Sequence, residues 1–156
     1  MSLRKYRKAK QQGFTLVELV VVIVILGVLA ATALPRFINV TNDARIAAVN
    51  GIAGGLRSSV GTIQARYFAT GTLTATTVTT ADATSVAVNA GTGIPTGVVG
   101  GIAAAMSCES ATACRGVTVD LTTPAATTWR PSGGSATCQA AYNGTTGVVT
   151  VTTSGC

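Results

Sequence analysis

The chain contains no histidine. That removes the commonest general base, the Ser–His and Cys–His nucleophile pairs, and the commonest metal ligand. Charge is scarce as well: 10% of residues are charged, against about 25% in ordinary soluble chains. The carboxylates are Glu18, Asp43, Asp82, Glu109 and Asp120. They are too scattered for a paired acid–base site or a calcium cluster. No enzyme is expected, and no metal or other cofactor. Aromatic residues make up 4% of the chain, too few for a continuous aromatic path along an assembly. Trp129, the one tryptophan, reads as a core anchor before it reads as a sugar-stacking platform. No Lys follows Lys10. The cysteines form no C-x-x-C pair, which weakens zinc and redox readings.

The net charge of +6 suggests nucleic acid at first sight, but position argues otherwise. Arg4, Lys5, Arg7, Lys8 and Lys10 all precede residue 13. Beyond them six Arg face five acids, so no specific nucleic-acid partner is expected. The charge describes an N-terminal address segment. Immediately after it comes the opposite extreme, FTLVELVVVIVILGVLAATAL, with Glu18 as its one charge. Phe14 to Leu34 is long enough to cross a bilayer core, which takes about 20 apolar helical residues. The basic flank keeps the N-terminus in the cytoplasm and sends the rest across. A secretory signal peptide has a shorter apolar core, about 7–15 residues, and Ala30-Ala31-Thr32-Ala33 lies inside the span. An ordinary anchor does not explain Glu18, because a carboxylate deep in hydrocarbon costs about 2.5–3.5 kcal/mol.

Gly13 to Gly27, G-F-T-L-V-E-L-V-V-V-I-V-I-L-G, resembles the class III signal of type IV prepilins. The resemblance implies cleavage between Gly13 and Phe14 by a membrane prepilin peptidase. It also implies methylation of the new Phe14 amine and an assembly role for Glu18, with Gly27 and Pro35 as helix-softening positions. Physically, cleavage creates an ammonium at Phe14 one helical turn from Glu18, and the two charges can pair within a subunit or between neighbours. Pro35 removes a backbone hydrogen bond, so a kink is expected there.

Beyond Pro35, Ile46, Val49, Ala53, Leu56, Val60, Ile63 and Tyr67 recur at spacings of three and four, an amphipathic helix with one apolar stripe. Arg45, Arg57 and Arg66 lie largely off it. Gly51, Gly54, Gly55 and Gly61 weaken the helix and permit close approach by another element. Gly71 to Asn89 reads as a long surface loop or irregular strands. Gly93 to Gly97 is a turn signal, and Val98 to Met106 a short helix capped by Thr96. Gly116 to Leu121 alternates as a half-buried strand. Ala136 to Tyr142 and Val148 to Thr153 form two strands around the Asn143–Gly147 loop.

The chain therefore divides into a basic leader at 1–13 that is removed, an apolar transmembrane or filament-core helix at 14–35, an amphipathic helix at 36–69, and a β-rich head at 70–156. The fold class is α+β, a long N-terminal helix packed on a small antiparallel sheet, as in the type IV pilin fold. Cys108, Cys114, Cys138 and Cys156 allow three pairings. Cys108–Cys114 with Cys138–Cys156 is favoured, because each closes a local unit. Asn39-Val40-Thr41 and Asn143-Gly144-Thr145 match a glycosylation acceptor pattern and read as incidental.

The C-terminal stretch from Thr137 to Cys156, with Trp129 and G-I-P-T-G at 93–97, is similar to the mannose-sensitive haemagglutinin (MSHA) type of pilin. These resemblances imply a major subunit of a pilus for adhesion, biofilm formation or motility. The alternatives are a pseudopilin of a type II secretion system and a DNA-uptake pilin. The implied partners are copies of the chain in a helical homopolymer, the prepilin peptidase, the inner membrane and its assembly platform, and a surface or host-cell ligand of unknown identity. The implied location is the bacterial inner membrane, then the cell-surface filament.

Overall fold

The computed structural model describes residues 13–156, without the side chains of 34–39. Residues 1–12 of the expected basic leader, the Pro35 ring and the Asn39 amide therefore lie outside the described residues. Contacts divide the chain into two units, Met1–Val40 and Thr41–Cys156. One helix, α1 (Leu16–Thr70), contributes to both.

Within the first unit, every described residue from 13 to 32 is exposed. Leu16–Ala33 is long and apolar enough to cross a membrane. A helix that is apolar all round has no face left for water, and among the described residues none of this segment is buried.

In the second unit α1 has one stripe. Val49, Ala53, Leu56, Val60, Ile63 and Tyr67 are buried, and Ile46 is half-buried. Val49 to Val60 pack into a cluster with Trp129, Ala140, Tyr142, Val119 and Val149. Ile63 and Tyr67 pack into a second cluster with Val78, Val86 and Val88. Of the four stripe-flanking glycines expected to admit another element, Gly55 alone meets one, with Met106 Cε 3.3 Å from where a Cβ would stand. Gly51, Gly54 and Gly61 have nothing within 4 Å, because they lie on the side of α1 away from the head.

The stretch expected as a long surface loop or irregular strands holds a short hairpin, β1 (Thr77–Thr79) against β2 (Ser85–Ala87). The larger sheet has five antiparallel strands in the order β3-β4-β5-β6-β7. They are β3 (Ala113–Cys114), β4 (Val117–Asp120), β5 (Thr127–Pro131), β6 (Gln139–Tyr142) and β7 (Val149–Thr152). Thr127, Trp129 and Pro131 are buried while Thr128 and Arg130 are half-buried. This alternation makes β5 the central strand, with Trp129 opposite both Val119 and Ala140. The Trp129 Nε1–H donates to Thr127 Oγ1 at 3.2 Å. Among the described residues every buried side-chain nitrogen and oxygen has a hydrogen-bond partner.

The short helix expected at 98–106 is present in a kinked form: a wide turn at Val99–Ala103, broken by Gly101 at φ −101°, ψ −109°, runs on into Ala104 and Ala105. Thr96 does not cap it. Its N–H and hydroxyl go to Ala87 O and its carbonyl accepts from Ile102 N, so the segment is tied to β2. The G-I-P-T-G stretch is a packing device. A Cβ on Gly93 would stand 2.6 Å from the Tyr67 ring, and one on Gly97 would stand 2.0 Å from Pro124 O.

Truncating the central tryptophan leaves a large void. Trp129→Ala is expected to lower the unfolding free energy by about 3–5 kcal/mol, while exposed Thr152→Ala changes it by less than about 0.5 kcal/mol. Urea unfolding of the full chain in detergent, followed by circular dichroism, checks both.

Candidate functional site

Gly13, Phe14 and Thr15 precede the helix, so the Gly13–Phe14 bond lies in non-helical chain. Phe14 is 93% exposed. Among the described residues a Cβ on Gly13 would meet nothing within 4 Å, so packing against them places no demand for glycine there.

Glu18 stands in the first turn of α1. Its Oε2 accepts from both Thr15 N and Thr15 Oγ1 at 2.8 Å, and Glu18 N donates back to Thr15 Oγ1 at 3.3 Å. This is a capping box: Thr15 satisfies a free helical N–H and Glu18 satisfies the cap's own N–H. The spacing T-x-x-E is legible in Thr15-Leu16-Val17-Glu18 and is the signal that could have pointed to this cap. Among the described residues Oε1 accepts no hydrogen bond, so one carboxylate oxygen is held and the other is open.

Of the helix-softening pair, Gly27 lies in unbroken helix, and α1 also continues through Pro35. The four cysteines form Cys108–Cys114 and Cys138–Cys156. The first closes a six-residue separation in which Glu109 accepts from Arg115 N at 2.8 Å. The second closes eighteen residues and ties Cys156 beneath β6, where Gly155 N donates to Thr137 O.

Three arginines went unassigned by periodicity. Arg45 Nη1 donates to Cys156 O at 3.0 Å, Arg57 Nη2 to Val149 O at 3.1 Å, and Arg66 Nε to Thr79 O at 3.4 Å. Each pins a carbonyl of the head to α1. Nothing in the one-dimensional pattern reveals these pairs, because the acceptors are backbone groups up to 111 residues away.

A cleft of about 480 Å3 is lined by Asp82, Thr84, Ser107, Glu109 and Ser110, among others. Its carboxylates are engaged locally. Hydrogen bonds from Thr80 and Thr84 hold the Asp82 carboxyl below the usual range, and the Arg115 N–H does the same for Glu109. Donors from Thr122 likewise lower Asp120. Burial pushes the Tyr142 hydroxyl upward; it donates to Pro95 O. Nothing here resembles an acid–base pair.

Residues 8–34 match the family model described as the prokaryotic N-terminal methylation motif. The N-terminal segment carries that motif. The methylation motif thus spans the Gly13–Phe14 bond, the Thr15–Glu18 box and most of the exposed helix. The chain is also similar to the type IV narrow pilus major component PilA5 of Thermus thermophilus, 46% identical over 59 residues, 36% of this chain and 51% of that protein. A fimbrial protein of Moraxella nonliquefaciens is 43% identical over 67 residues, 42% of this chain and 44% of that protein. The type IV major fimbrial protein FimA of Dichelobacter nodosus is 38% identical over 55 residues, 35% of each chain. The chain thus spans about half, or less, of the length of the curated relatives it matches. No solved structure matches.

The acidic groups of the head give a pH dependence. A carboxyl lowered in the folded state contributes stability that is complete above the ordinary aspartate value, about pH 4, and is lost as pH falls through the folded value. The melting temperature is expected to fall on acidification below that point, and Asp82→Asn to flatten part of the fall. Melting curves across pH for both proteins check this.

Proposed function

We propose that this chain is the main structural subunit of a type IV pilus. It is made as a membrane-anchored precursor, cut between Gly13 and Phe14, methylated on the Phe14 amine, and assembled as a helical homopolymer on the cell surface. The observation that carries this reading is the methylation motif at 8–34, seated on a helix whose apolar surface the chain leaves uncovered. A bilayer covers such a surface before assembly, and other copies of the same helix cover it afterwards.

Glu18 supplies the register. The capping box holds Oε2, and Oε1 is left to accept an ammonium. The new Phe14 amine of a neighbouring copy is the cation this scheme requires, since an unpaired charge in an apolar bundle costs several kcal/mol. Gly13 is free of packing demands, which assigns the need for glycine to the enzyme that cuts there. The partners of this reading are the prepilin peptidase, the inner membrane with its assembly platform, and further copies of the chain. The filament serves attachment, biofilm formation or motility through a surface ligand of unknown identity. The Thr137–Cys156 stretch supports the MSHA-type subclass as the finer reading. The chain has no enzymatic role in this scheme.

Electron microscopy of sheared surface filaments, with N-terminal sequencing of their main component, tests the proposal; a mature chain beginning at methylated Phe14 is expected. Glu18→Ala is expected to be cleaved normally yet to yield few filaments. Gly13→Ala is expected to accumulate as uncut precursor on immunoblots, and efficient cutting of that variant contradicts the assigned bond.

A further inference from the structure

Two strands of the head have unused edges. Asn143 N donates to Val148 O at 2.9 Å. Along β6–β7 the mutually bonded pairs are therefore Ala141–Thr150 and Gln139–Thr152, and the N–H and C=O of Val149 and Val151 point away from the sheet. The hairpin repeats the pattern. Thr80 N donates to Thr84 O and Val88 N to Thr76 O, so Thr77 and Thr79 point outward from β1. On each edge one arginine of α1 takes one carbonyl: Arg57 takes Val149 O and Arg66 takes Thr79 O. Among the described residues each edge then keeps one residue with both backbone groups open, Val151 on β7 and Thr77 on β1. Both edges are uncharged and built from Val and Thr, without Pro. The other strand edges are partly used, as on β2, or minimal, as on β3. The far side of β2 bonds Thr96 N through Ala87 O, and β3 has two residues inside a disulfide loop.

Arg57 and Arg66 are nine residues apart, about two and a half helical turns. They therefore leave α1 on opposite sides, and the β7 and β1 edges flank the helix left and right, offset by about 14 Å along its axis. Unlike edges on opposite sides form a heterologous contact, which builds a ring where its rotation closes and an open helical filament where it does not.

We propose that β7 of one copy pairs with β1 of the next, continuing the sheet from head to head. This rests on the pilus-subunit reading and specifies its head contact. The two arginines limit the paired length, a guard that natural edge strands need against uncontrolled association.

The test uses the full-length chain in cells that assemble it. Val151→Pro removes an outward N–H that β6 does not use, a position where an edge strand tolerates proline. Cleavage and both disulfides are expected to persist while the yield of sheared filaments falls several-fold; undiminished yield overturns the pairing. If that variant loses its disulfides, Thr77→Cys combined with Val151→Cys decides. A short bis-maleimide is expected to give a ladder of covalent oligomers in the double variant and none in either single one. No ladder from the double variant, or dimers from Val151→Cys alone, overturns it. Failure of the unsubstituted chain to form filaments counts instead against the pilus reading itself.

Discussion

The constraint on which the rest depends is that one helix carries two different apolar surfaces. From Val49 to Tyr67 the surface is a stripe, and the chain covers it with its own sheet and hairpin. From Leu16 to Ala33 it is apolar but for Glu18 and Thr32, and none of it is buried among the described residues. Water cannot solvate that segment without a large cost, since each exposed aliphatic side chain forgoes about 1.5–3 kcal/mol of burial. In the proposed scheme a bilayer, and then a bundle of like helices, covers it.

Glu18 is the one charge in that run. Thr15 supplies two donors to one of its oxygens. In the proposed scheme the same carboxylate accepts a neighbour's amine, and so sets an alignment that apolar helices by themselves leave loose.

The head is held to α1 by packing and by three arginine-to-carbonyl bonds. The planar guanidinium suits this task, because its donors are fixed in a fork and remain charged at any physiological pH. The absence of lysine beyond residue 10 takes on meaning here. The C-terminal disulfide contributes to the same join, since it positions the Cys156 carbonyl that Arg45 uses.

Much of this was legible in one dimension. The exposed apolar segment follows from composition, and the buried stripe follows from the three-and-four spacing, because a helical period of 3.6 leaves few alternatives. The strand β4 follows from alternation, and β6 and β7 from the turn signal at Asn143–Gly147 that they flank. By contrast β5 was invisible: Thr127-Thr128-Trp129-Arg130-Pro131 has short alternation and ends in proline, so only its pairing with β4 and β6 makes it a strand. The kink within Val99–Ala103 and the reassignment of Thr96 were equally hidden, since both depend on Ala87 being near. Sequence by itself determined where apolar surface lies along the chain and that a single acid, Glu18, stands within its apolar run, because those are properties of residues and their local period. Only the tertiary structure decided which carbonyls the arginines hold and which strand edges are left open, because hydrogen-bond partners are set by neighbours in space.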